Sequence, residues 1–193
     1  MKKEPNYLYK ILKVIYTFLL KILFRPTVIG KENIPKEGAV IFAGNHICAI
    51  DPVVVMSSTD RIVRYIAKKE LFKGLHGIIF KKIGLIPVYR DRANPLAIEE
   101  AEKVLNNGGT IGIFPEGTRN RTKEELLPLR KGCVRIAQKT QSTIVPFAIR
   151  GNYKLFRKGI ILEFGIPMKV EKDIEIEKAN EILKKEIINL LRK

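Results

Sequence analysis

Two kinds of apolar run alternate along this chain of 193 residues. Short runs of four or five apolar residues end at glycine, asparagine or proline, and longer runs repeat their apolar positions every three or four residues. The first kind reads as buried strand and the second as amphipathic helix. Strands are predicted over 39–43, 61–67, 85–89, 110–114, 143–150 and 160–164, with Pro87 confining the third to an edge or a bulge. Asp51-Pro52 reads as N-cap and first residue of a short helix through Met56. Residues 68–82 read as one or two short helices interrupted by Gly74 and Gly77. Asn94-Pro95 opens a clear helix with Ile98, Ala101, Val104 and Leu105 on one face, closed by Gly108. Further helices are predicted over 131–139 and 178–192. Strands alternating with helices predict an α/β domain whose mixed, largely parallel sheet is covered by helices on both faces. In such sheets, sites form outside the C-terminal ends of strands.

Before the first strand, residues 7–24 are apolar but broken by Lys10, Lys13 and Lys21. The longest uncharged stretch, Val14 to Leu20, is far too short to cross a bilayer. Tyrosines and lysines mixed into an apolar helix suit the membrane interface, the competing reading being a helix packed on the protein's own core. We take the interfacial reading. Arg25-Pro26 ends this helix, because the residue before proline is driven out of helical geometry. A linker follows over 30–38, and the expected organisation is a membrane-interface helical segment, 1–26, and one globular domain, 27–193.

Charge changes the picture more than overall composition does. The net charge is +16, and between Arg61 and Arg90 eight Lys or Arg residues stand against one acid, Glu70. Such a chain seeks a polyanion: nucleic acid, an anionic bilayer or a phosphorylated ligand. The two cysteines, Cys48 and Cys133, have no C-x-x-C spacing and argue against a disulfide scaffold or a zinc site. A reducing compartment is the simplest setting, and no small-residue cleavage site follows the apolar N-terminal stretch.

Two blocks carry candidate chemistry. Asn45-His46-Ile47-Cys48-Ala49-Ile50-Asp51 follows a predicted buried strand. A neutral imidazole beside a carboxylate can take a proton from a hydroxyl. Five residues is about 140° round a helix, so His46 and Asp51 meet only across a turn. Asp51 then either fixes the imidazole tautomer and stabilises the imidazolium, or serves as an N-cap alone, or does both. Cys48 offers a competing nucleophile, but free cysteine usually packs as a small apolar residue. The second block, Phe114-Pro115-Glu116-Gly117-Thr118-Arg119, also follows a strand. Arg119 can hold a phosphate bidentately on a turn that glycine loosens, with Glu116 binding a substrate hydroxyl or orienting an arginine. The bland alternative is a structural Arg–Glu pair. Arg90, ending a predicted strand, is a second phosphate clamp or a solvated charge.

Four blocks in this order resemble the glycerolipid acyltransferase family: a His-x4-Asp block (Asn45 to Asp51), a Gly-x-Ile-x-Val-x-Arg block (Gly84 to Arg90), Phe-Pro-Glu-Gly-Thr-Arg (Phe114 to Arg119) and Val-Pro (Val145-Pro146). The resemblance runs from about Thr27 to Pro167. It implies that 27–193 is an acyltransferase domain in which His46 deprotonates a glycerol hydroxyl. That hydroxyl attacks the thioester of acyl-CoA or acyl-carrier protein, with Asp51 in support. It further implies that Glu116, Gly117, Thr118 and Arg119, with Arg90 and Lys68, hold a lysophospholipid acceptor, and that Val145-Pro146 belongs to the acyl-donor or acyl-chain site. The implied reaction acylates the sn-2 hydroxyl of 1-acylglycerol-3-phosphate to phosphatidic acid, or else acylates another lysolipid or glycerol-3-phosphate. A thioester is reactive enough to need no metal and no cofactor. The implied fold is an α/β sheet preceded by helices that dip into the membrane. Cys48 stands where the family commonly has serine.

The partners expected are therefore the lysophospholipid, an anionic membrane surface and, as one of the two donors, acyl-carrier protein. The expected location is the cytoplasmic face of the cell membrane, as a peripheral or monotopic protein. A nucleic-acid-binding module would explain the charge, but no aromatic-interleaved basic strand is present. An esterase would explain a His–Asp pair, but no G-x-S-x-G elbow is present.

Overall fold

The computed structural model describes residues 6–89 and 94–193. Arg90, one of the two expected phosphate clamps, lies outside the described residues. Seven strands form one sheet: β1 (Thr27–Ile29), β2 (Val40–Gly44), β3 (Val63–Lys68), β4 (Ile86–Val88), β5 (Thr110–Ile113), β6 (Thr143–Gly151) and β7 (Ile160–Phe164). Their order across the sheet is β1-β7-β6-β2-β5-β3-β4. Every neighbouring pair is parallel except β6 and β7, so the sheet is mixed but mostly parallel, as the alternation of strands and helices predicts.

Among the described residues six helices cover it: α1 (Tyr7–Leu23), α2 (Asp51–Ser57), α3 (Gly74–Lys82), α4 (Pro95–Asn106), α5 (Gly132–Thr140) and α6 (Ile176–Leu191). The all-apolar run in β2 shows why both faces need cover. Ile41 and Ala43 join one core with α4, α5 and α6, while Val40 and Phe42 join the other with Val54 and Val55 of α2 and Leu20 of α1. Successive residues of a strand point to opposite faces, so a strand buried on both sides must be apolar throughout. Pro87 lies in β4, the last strand of the order, where a missing backbone N–H is tolerated. Residues 27–29, unassigned in the sequence reading, form β1 beside β7, and Lys31–Asn33 within the expected linker is a turn of 3-10 helix.

One local expectation needs correction. Asp51 is the first residue of α2 rather than its N-cap, which is Ile50. Its carboxylate turns back toward residues 46–48 and caps nothing ahead of it.

Helix α1 is docked along one face and bare along the other. Asn6 caps it, accepting from the Tyr9 N–H at 3.0 Å, and donates to the Lys82 carbonyl at 2.9 Å. Tyr9 and Leu20 are buried. The Tyr9 hydroxyl accepts the Val63 N–H at 2.9 Å, and burial pushes its pKa up to about 12. Thr17 donates to Ser57 at 3.0 Å, and Lys13 donates to the Thr59 carbonyl. Tyr7, Ile11, Val14, Ile15, Phe18 and Ile22 all face solvent. Their spacing makes one helical stripe, with exposed Lys10 and Lys21 on the same flank.

Candidate active site

Sheet register brings the two motifs together. β2 and β5 are parallel neighbours with Ala43 opposite Ile113. Three residues further along each chain stand His46 and Glu116, both past the C-terminal ends of their strands. The Glu116 Oε1 accepts the backbone N–H of His46 at 2.7 Å, and its Oε2 accepts that of Leu127 at 2.9 Å. The Asn120 N–H donates to the His46 carbonyl at 2.7 Å, a further tie between the loops.

His46 and Asp51 meet across the turn. The His46 Nδ1 lies 2.8 Å from Asp51 Oδ2. The same oxygen accepts the backbone N–H groups of Ile47 (2.7 Å) and Cys48 (2.8 Å), while Oδ1 accepts the Tyr153 hydroxyl at 2.6 Å. Asp51 is fully buried, and its two oxygens are engaged by the Ile47 and Cys48 N–H groups, the Tyr153 hydroxyl and His46 Nδ1. Oδ2 already accepts two backbone N–H groups, and an acceptor oxygen facing Nδ1 calls for the proton on Nδ1, which leaves the lone pair on Nε2. Nε2 has no hydrogen bond among the described residues. The imidazole stacks on Phe114, centroids 4.1 Å apart, and Phe114 stacks in turn on Tyr65 at 5.9 Å. The ring is therefore held in place by its face as well as by its edge.

Asn45 precedes this pair and aligns it. Its side chain donates to the Ile149 carbonyl at 2.9 Å and accepts the Ile149 N–H at 2.7 Å, acting as one more strand partner for β6. Beyond Glu116 the chain turns at Gly117, with φ +72°. The positive φ favours glycine, and the Arg130 guanidinium lies over it, its Nε 2.5 Å from where a Cβ would stand. Thr118 and Arg119 follow on the exposed side of the turn. Lys68 ends β3, the neighbour of β5, is exposed, and lies 3.4 Å from Glu70. His46, the 116–119 turn and Lys68 thus share one end of the sheet.

Glu116 is 5% exposed, and burial raises its pKa despite the two backbone donors. Its carboxylate is engaged by backbone of both loops. Val145 and Pro146 are buried in β6, opposite Phe42 and Ala43 of β2. The Pro146 carbonyl accepts the Gly165 N–H at 2.8 Å, on the side where the chain leaves β7. Neither offers a surface at the His46 end of the sheet.

Two residues at the site were absent from the sequence reading. Arg130 lies over Gly117, and its N–H donates to the Pro115 carbonyl at 2.8 Å. Tyr153 lies in the β6–β7 loop, 102 residues beyond the aspartate it touches. Burial and the neighbouring Asp51 carboxylate raise the Tyr153 pKa far above the ordinary tyrosine value, which keeps its hydroxyl a donor. No local motif marks it.

Residues 25–150 match the acyltransferase family model. A 1-acyl-sn-glycerol-3-phosphate acyltransferase of Borreliella burgdorferi is 34% identical over 170 residues, covering 86% of this chain and 68% of the relative. One from Bacillus subtilis is 37% identical over 137 residues, covering 68% of this chain and 67% of the relative. The crystal structure of a 1-acyl-sn-glycerophosphate acyltransferase from Thermotoga maritima superposes with a TM-score of 0.77 at 25% identity, over 96% of this chain and 77% of that one. With its His46–Asp51 pair braced at the strand ends in the same mostly parallel sheet, the chain belongs to the acyltransferase family and is an acyltransferase.

Proposed function

We propose that this enzyme transfers an acyl group from acyl-CoA or acyl-carrier protein to the sn-2 hydroxyl of 1-acylglycerol-3-phosphate, giving phosphatidic acid. The observation that carries the chemistry is the 2.8 Å contact of His46 Nδ1 with a buried, four-donor Asp51, which leaves Nε2 as the basic nitrogen. Nε2 takes the acceptor's hydroxyl proton as its oxygen bonds to the thioester carbonyl carbon. Asp51 stabilises the imidazolium so formed. As the tetrahedral intermediate collapses, the C–S bond breaks and the proton passes to the departing sulfur. His46 is restored, and the products are the new oxygen ester and a free thiol. The acceptor identity is supported by the names of the relatives and by the basic groups at this end of the sheet.

Arg119, which follows the turn at Gly117 and Thr118, is read as holding the acceptor phosphate together with Lys68 and Arg90. Glu116 is read as the brace that sets the two loops against each other. The outward stripe of α1 is read as the interfacial segment, lying in the headgroup region on the cytoplasmic face. No helix among the described residues is long and apolar enough to cross a membrane. Six large apolar side chains in one solvent-facing stripe form the kind of surface that a lipid interface would cover.

Purified enzyme given labelled acyl-CoA or acyl-carrier protein with a panel of lysolipids should esterify 1-acylglycerol-3-phosphate in preference to uncharged acceptors. His46→Ala should lower turnover by about 10²–10⁴-fold with the thermal melt unchanged. Turnover within about tenfold of wild type would remove His46 from the role of base.

A further inference from the structure

Residues 152–159 connect β6 to β7 and rest against the end of α1. The Phe156 N–H donates to the Leu23 carbonyl at 2.6 Å, and the Tyr153 ring meets Phe24 edge-on at 5.4 Å. At the tip, Leu155 is 60% and Phe156 62% exposed, flanked by exposed Lys154, Arg157 and Lys158 with no acid in the loop. Phe156 also has φ +60°, a conformation unfavourable for a bulky aromatic residue. Two large apolar side chains are thus presented outward from a basic turn.

We infer that this loop is a second lipid-contacting element, seated on an anionic bilayer beside α1, and that its Tyr153 couples the contact to the positioning of Asp51. The inference rests on the interfacial reading of α1. Continuity supports the occupant: the outward stripe of α1 ends at Ile22, one residue before the carbonyl that holds Phe156. Charge supports it too, since three cations beside two apolar side chains suit a plane of anionic headgroups over acyl chains. The coupling follows from chain distance. Tyr153 stands two residues before Leu155, and its hydroxyl is the only donor on Asp51 Oδ1 among the described residues. A surface that steadies the tip therefore steadies the hydrogen bond that orients the aspartate, and through it His46.

The chain has no tryptophan, so a single one reports its own surroundings. Phe156→Trp in the full chain, mixed with phosphatidylglycerol vesicles, should shift its emission to the blue and be quenched by brominated acyl chains. Pure phosphatidylcholine vesicles should give a much smaller shift. Phe18→Trp reports on α1 in the same way. A response from Trp at 18 with none at 156 overturns the loop's lipid contact and leaves the α1 reading standing. No response at either position overturns both. Tyr153→Phe keeps the ring on Phe24 and removes only the hydroxyl. It should lower kcat about tenfold while vesicle binding and acceptor KM stay near wild type. An unchanged kcat, or a loss confined to KM, overturns the positioning role.

Discussion

The carboxylate of Glu116 accepts the backbone N–H of His46 at 2.7 Å, and so the second motif holds the first in place. Its other oxygen holds Leu127 at 2.9 Å. Glu116→Gln keeps the shape but turns one acceptor into a donor facing a backbone N–H. Leaving that buried N–H unpaired should cost about 1–3 kcal/mol of stability. Turnover should fall with it, because His46 is carried on the loosened segment. Chemical denaturation and steady-state kinetics on the same preparation check this. A variant as stable and as active as wild type would show that the brace carries no weight.

Arg119 is the exposed guanidinium next to the braced turn, with no partner among the described residues. Arg119→Lys keeps the charge and loses the two-pronged geometry. The KM for the lysophospholipid should rise about 5- to 30-fold, the equivalent of 1–2 kcal/mol, with the acyl-donor KM little changed. An effect on donor kinetics alone would move Arg119 from the phosphate to the thioester side of the site.

Cys48 gives Asp51 its backbone N–H, not its thiol. Cys48→Ser should therefore retain most activity, and rapid acid quenching of the wild-type enzyme with labelled acyl-CoA should trap no acylated protein. A trapped thioester that disappears in Cys48→Ala would replace direct transfer by a two-step route.

Away from the site, Glu163 joins β7 to β6 and to the last residue, accepting from Arg150 at 2.8 Å and Lys193 at 2.7 Å. Burial pushes its pKa up, but the Lys193 and Arg150 cations outweigh that and hold it below the usual 4.5. A carboxylate with a depressed folded pKa adds stability above its unfolded value, and that stability is lost as pH falls through the folded one. Glu163→Gln should thus be less stable than wild type by about 0.2–1 kcal/mol at pH 7, because solvent screens the exposed Lys193 end of the pair. Urea unfolding repeated below the folded pKa should find the difference shrunken, and a gap of equal size there would contradict the charge account.

Much of this protein was determined by local sequence. The apolar run at 39–43 reads as a buried strand, Pro87 confines its strand to an edge or a bulge, and Gly117 marks a turn. The His46–Asp51 spacing required a turn between the two side chains, and the turn is there. These features depend on residues within a few positions of one another, where backbone sterics and periodicity decide the outcome. Tertiary structure decided the rest. The parallel register of β2 on β5 set Glu116 against the His46 backbone, and residues 27–29 became a strand only because β7 offered a free edge. Packing turned the Asp51 carboxylate back from its own helix, sank Val145 and Pro146 into the sheet, and brought Tyr153 to Asp51 from 102 residues away. Such contacts join segments that are remote along the chain, and the order in which strands assemble is not written into the periodicity of any one of them.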